Sequence, residues 1–157
     1  MFGTVIFDWD GTLADTRQVI LMSFHRALRE VVGVDVDDEF VVRRIGIGAK
    51  WTFAQILKDK GLPVNEEVLK QLIAVKIRVA NEHAQEAELF AGAVELLEAL
   101  RGKVKIGLAS MNNRAVIECM LDVHGIARYF EAVITVDEVK KSKPDPEIFL
   151  KTAEKLG

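Results

Sequence analysis

The chain has 157 residues, half of them hydrophobic and 29% charged, with a net charge of −3. This suits a soluble globular protein with one sizeable core, or a core and a small helical module. The weak negative charge excludes an electrostatic footprint for nucleic acid or an anionic membrane surface. One cysteine, Cys119, leaves no internal disulfide and fits a reducing compartment. No apolar run approaches transmembrane length, and the N-terminus leads into a core strand without a signal-peptide pattern, so the expected location is the cytoplasm.

An apolar run over residues 2–7 predicts a buried first strand, ending at Asp8, Trp9, Asp10 and Gly11. Residues 18–32 then read as an amphipathic helix, with Ile20, Leu21, Phe24, Ala27, Leu28 and Val31 at helical spacing and Gly33 as its stop. Asp37, Asp38 and Glu39 place negative charge at the start of a second helix, which Gly46 and Gly48 break. A third helix is expected near 50–60. Asn65 is the expected cap of a long fourth helix, with Glu66 and Glu67 in its first turn and Val68, Leu69, Leu72, Ile73, Val79 and Ala80 as its buried stripe. Four helices with no strand between them predict a small bundle inserted after the first strand.

From Gly92 the pattern changes to alternating helix and strand. A helix over 92–100 precedes a strand over 104–109. An Asn112-capped helix with Val116, Ile117, Met120 and Leu121 leads to a third strand over 132–136. Asp145 as cap and Pro146 at the first helical position open a final helix. Alternation of this kind implies a parallel sheet with right-handed crossovers.

Strand ends followed by tight turns are where parallel sheets place their chemistry. A carboxylate fixed there serves as a nucleophile, and one two residues later as proton donor and acceptor. Gly11 lets the backbone turn sharply and approach a ligand closely. Asp-x-Asp-Gly also occurs in calcium loops and ordinary turns. A calcium loop needs further oxygen ligands at regular spacing and a closing glutamate, and Leu13 and Ala14 stand there instead. Ser110 also reads as a turn residue at a strand end, and Lys143 as one of the solvated run Lys140, Lys141 and Lys143. His25, His83 and His124 suggest no metal site.

FDWDGTLADT resembles the first motif of the haloacid dehalogenase-like superfamily. LFAGAVELLEALR, residues 89–101, looks like that family's re-entry into its core after an inserted cap. IGLAS, ending at Ser110, and KSKPDPEIFL, containing Lys143, match its second and third motifs. The resemblance implies an α/β fold: a three-layer, Rossmann-like parallel core of about three strands, built from 1–14 and 89–157. A four-helix cap over 15–88 would be of the kind found in phosphoglycolate phosphatases and β-phosphoglucomutases.

It further implies that Asp8 is the nucleophile of an aspartyl-phosphate reaction. Asp10 would be the acid and base, and its presence argues against the dehalogenase branch. Thr12, Ser110 and Lys143 would bind the phosphoryl oxygens with help from loop amides such as those near Gly11. Magnesium would join the Asp8 carboxylate, the Asp10 backbone carbonyl and the phosphate. Asn112 and Asn113 are first helix caps, with a secondary role at the phosphate site. In the cap, Gly46 to Lys50 resembles a glycine-containing specificity loop, which implies that Lys50 faces the active site. Lys50 also reads as an exposed residue at a helix N-terminus.

The family's fourth motif, which supplies further magnesium ligands, has no counterpart up to Gly157. The family strand order would then leave the first strand at a sheet edge, a template for pairing with another chain. Self-association through that edge, as a dimer or by exchange of an element, is therefore expected. The expected function is a magnesium-dependent phosphatase of a small phosphorylated metabolite, slowed by an incomplete metal shell. The alternatives are a β-phosphoglucomutase-like phosphosugar mutase and an inactive remnant that only binds ligands or partners.

Overall fold

A computed structural model describes residues 3–157. Strand β1 (Thr4–Phe7) is followed by a two-residue strand β2 (Ala14–Asp15) and four helices: α1 (Arg17–Val32), α2 (Asp38–Val42), α3 (Ala49–Asp59) and α4 (Glu66–Glu82). A second two-residue strand, β3 (Glu88–Leu89), precedes α5 (Ala93–Leu100), β4 (Lys105–Ser110), α6 (Arg114–Val123), β5 (Ala132–Thr135) and α7 (Glu147–Leu156). The expected strand start at Phe2 lies outside the described residues.

Three strands form a parallel sheet in the order β1-β4-β5, with Val5 opposite Ile106 and Leu108 opposite Val133. Parallel strands need cover on both faces, and the alternation along β4 supplies it. Ile106 and Leu108 join a core with Leu97 of α5 and Ile117 and Met120 of α6. Gly107 faces the other way, against α7. A Cβ there would lie 2.7 Å from Thr152 Cγ2 and 2.8 Å from Leu156 Cδ1, so only glycine lets α7 settle this closely on the sheet. Ile148 of α7 closes that side with Ala109 and Ile134. Helix, sheet and helix make the three layers expected.

The four helices α1–α4 gather around a separate apolar cluster that includes Phe24, Leu28, Phe53, Leu57 and Leu72. The Phe24 and Phe53 rings pack at 4.4 Å between centroids. Asn65 caps α4 as expected, its Oδ1 accepting from the Val68 N–H at 2.9 Å, worth about 1 kcal/mol. At the base of this unit the outgoing and returning chain segments pair antiparallel, Ala14 with Leu89 and Asp15 with Glu88. The periodic pattern did not predict this ribbon, because two residues are too short to carry an alternation. Among the described residues no helix is long and apolar enough to cross a membrane. The outer side of β1 has no partner strand among them.

Candidate active site

Because β1 and β4 run parallel in register, their carboxyl ends meet at one rim of the sheet. Asp8 follows β1 directly, and Ser110 is the last residue of β4. Lys143, on the segment before α7, reaches across: its Nζ lies 2.9 Å from Asp8 Oδ1 and donates to the Ala109 carbonyl at 3.0 Å. Gly11 adopts φ +76°, and the turn it makes lets the Trp9 carbonyl accept from the amides of Thr12 and Leu13 at 3.2 and 3.1 Å. Trp9 anchors the loop, fully buried, with its indole N–H donating to Met120 Sδ at 3.2 Å. Thr12 is exposed on the loop, and its hydroxyl forms no hydrogen bond with the other described site residues.

Asp10 turns inward. Thr16 Oγ1 donates to its Oδ1 at 2.8 Å, and Ser110 Oγ stands 3.4 Å from its Oδ2. Burial of its carboxyl group raises the pKa above the ordinary carboxylate value, against the opposing pull of the Thr16 bond and the Lys76 charge. The chain continues into a short relay of hydrogen bonds. Ser110 Oγ accepts from the Asn112 N–H at 3.1 Å, and Asn112 Oδ1 accepts from the Asn113 N–H at 3.0 Å and from Lys76 Nζ at 2.5 Å.

Asn112 therefore does not cap α6 as expected. The N-cap position belongs to Asn113, and the Asp137 carboxylate satisfies the helix start from outside, taking the Arg114 N–H at 2.6 Å and Asn113 Nδ2 at 3.1 Å. A charged acceptor binds amide donors more strongly than a side-chain amide does, which frees Asn112 for the site.

Lys76 is the residue that reading the sequence missed. It sits on α4, only 3% exposed, and brings an ammonium group from the helical unit to the rim of the sheet. Its signal was present: with Leu69, Leu72, Val79 and Ala80 it occupies the buried stripe of α4, where a lysine requires a buried partner. Burial lowers its pKa to about 8, with Asp10 and Asp137 pulling the other way. Lys50, by contrast, is set apart from the cluster. Its Nζ pairs with Glu66 Oε1 at 2.8 Å, with more than half of its side chain exposed. The glycine loop before it does reach the core: Gly48, at φ +118°, lies where a Cβ would stand 3.5 Å from Met111 Cε. That loop roofs a cavity lined by Asp10, Asn112, Lys76, Met111 and Arg44. Its free space of about 30 Å³ has room for little more than water.

The lowered pKa of Lys76 makes stability depend on pH in a defined direction. Between pH 8 and about 10.5 an unfolded lysine holds a proton that the folded one has lost. The unfolded state binds more protons there, so this group's contribution to stability rises with pH. Urea unfolding of the wild type and of Lys76→Met at pH 7.5 and 9.5 should show the wild type gaining roughly 1–2 kcal/mol more than the variant over that interval. Parallel pH profiles would contradict a buried, proton-releasing Lys76.

The probable phosphatase IndB of Dickeya dadantii is 32% identical over 157 residues, covering 98% of this chain and 67% of that protein. The pyrophosphatase PpaX of Oceanobacillus iheyensis is 29% identical, covering 98% of this chain and 69% of its own length. Among solved structures, β-phosphoglucomutase of Clostridium difficile superposes with a TM-score of 0.84 at 27% identity, over 99% of this chain and 71% of that one. The haloacid dehalogenase-like hydrolase model matches residues 5–157, a span that holds Asp8, Asp10, Ser110 and Lys143 alike, and the chain belongs to that family.

Proposed function

We propose that the chain is a magnesium-dependent phosphatase of a small phosphorylated metabolite, with Asp8 as nucleophile and residues 15–88 as a cap over the site. The observation that carries this reading is the convergence of Asp8, Asp10, Ser110 and Lys143 at one rim of the sheet, with Lys143 2.9 Å from the Asp8 carboxylate. An Asp8 oxygen attacks phosphorus, and the bond from phosphorus to the leaving oxygen breaks. Asp10 gives that oxygen its proton, and burial, which raises its pKa above the ordinary carboxylate value, favours the protonated form that an acid needs. The resulting carboxylate then takes a proton from water, which attacks the aspartyl-phosphate and releases inorganic phosphate. Lys143 and Ser110 would donate to the negative charge that develops on the phosphoryl oxygens.

The donor set suits a hard cation of the magnesium type. Such ions bind through one or two carboxylates together with substrate phosphate and keep several waters, and the Asp8 carboxylate and Asp10 main-chain carbonyl would hold one. When bound, the ion supplies positive charge that lets an anionic nucleophile meet an anionic phosphate. The small free space beneath the glycine loop supports a cap that opens to admit substrate and closes to exclude water, with the β2–β3 ribbon as the place where the chain crosses between the two units.

The β-phosphoglucomutase likeness supports a phosphosugar mutase as the second reading, since Asp8 and Asp10 serve either chemistry. Hydrolysis of p-nitrophenyl phosphate is expected to require magnesium and to fall at least about a hundredfold in Asp8→Asn. Turnover that persists in Asp8→Asn or needs no divalent ion would refute the proposal.

The open edge of β1, beside an apolar groove that includes Phe7, Leu13, Phe90 and Leu96, supports pairing of two copies of the 157-residue chain. Light scattering across a wide concentration range should then report a dimer mass, and a monomer throughout would end that reading.

A further inference from the structure

The charges around the cavity do not balance. Asp10 contributes one carboxylate, while Lys76 and Arg44 each bring a cation. Lys76 is spent on Asn112 and Asp10, but Arg44 has no carboxylate partner among the described residues. Arg26, Arg29, Arg43 and Arg78 of the helical unit, by contrast, are each paired with an acidic side chain. Arg44 instead sits over the Phe40 ring, its Cζ 3.6 Å from the centroid, with Trp51 further off at 6.0 Å. One terminal nitrogen, Nη1, donates to the Phe40 carbonyl at 2.9 Å. Its Nε is buried and has no hydrogen-bond partner, and Nη2 makes no hydrogen bond among the described residues.

This arrangement has a chemical meaning. Stacking occupies the face of a guanidinium and leaves its edge donors free, and the Nε–Nη2 edge is a two-pronged donor matched to a carboxylate or a phosphate. A buried N–H with no partner is costly unless something comes to accept from it. The cation lines the cavity and stands in a part of the molecule that Ser110 and Lys143 do not use.

We propose that Arg44 is the specificity-determining residue of the cavity. It receives a second anionic group on the substrate, so the preferred substrates are small phosphate monoesters that carry a carboxylate or a second phosphate. This rests on the phosphatase reading for its chemistry and goes beyond it in fixing what the non-reacting end of the substrate must be. The glycine loop over Gly46 and Gly48 follows Arg44 directly, so closing the roof and seating the guanidinium against the ligand are one motion.

The test compares three esters of similar length: propyl phosphate, 2-carboxyethyl phosphate and propane-1,3-diyl bisphosphate. The wild type is expected to favour the two doubly anionic esters by about tenfold or more in kcat/KM, mainly through KM. Arg44→Met should lose that preference while its kcat/KM for propyl phosphate stays within about twofold, and Arg44→Gln serves the same purpose if the methionine variant does not fold. Which of the two anionic esters is better identifies the second group. No preference in the wild type, or a preference kept in the variants, overturns the proposal. If the wild type hydrolyses none of the three, the phosphatase reading fails separately, and thermal stabilisation by the same esters decides. Greater stabilisation by the anionic pair, lost in the Arg44 variants, upholds the anion site, and equal shifts refute it.

Discussion

Two carboxylates lie two residues apart just beyond the end of the half-buried first strand, and the rest of the site exists to make that arrangement tolerable. Like charges in a poorly hydrated rim repel, and each loses solvation besides. The fold answers from two directions. Lys143 comes from the core segment before α7 and holds Asp8, while Lys76 comes from the helical unit and meets Asp10 through Asn112. The ionisation states adjust as well: Asp10 is pushed toward its protonated form and Lys76 toward its neutral form, both by burial. The two aspartates thereby have different surroundings, Asp8 held by a lysine and Asp10 buried beside Thr16 and Ser110, which is the division the proposed roles of nucleophile and acid require.

Lys76 also ties the two parts of the chain together. Its helix packs in the apolar cluster of α1–α4, yet its ammonium group ends at the rim of the sheet. A cap that lifts from the core must withdraw this cation from Asn112 and Asp10, so cap position and site electrostatics are coupled by construction. The glycine loop adds a second contact, with Gly48 packed against Met111 at ordinary contact distance and held at a φ of +118° that favours glycine. Arg44 completes the set at the start of that loop.

Much of this was legible in the sequence, for a physical reason. The strand-end aspartates, Gly11 and the run from Lys143 into α7 are local signals, fixed by turn chemistry and hydrophobic pattern, and the structure brings Asp8, Asp10, Ser110 and Lys143 to one place. The helix spans were recoverable because their apolar stripes extend over several turns. What escaped was set by distant partners. Asn112 looks like a helix cap until Asp137, from the segment after β5, takes over the α6 amides. Lys50 has a position in sequence suited to the site, but Glu66 lies nearer and holds it in solvent. Lys76 interrupts an otherwise apolar stripe, and an interruption of that kind marks a buried charge with a job to do. The β2–β3 ribbon was invisible because two paired residues have no period to detect.

In the proposed reaction an Asp8 carboxylate oxygen takes the phosphoryl group, and every other site residue supports that step. An acyl phosphate on aspartate is reduced by borohydride to homoserine, a change that peptide mass mapping locates to one residue. Quenching the enzyme with borohydride during turnover of p-nitrophenyl phosphate is predicted to convert position 8, and only that position, to homoserine. Turnover with Asp8 unmodified, or with the modification at another residue, would contradict the account at its centre.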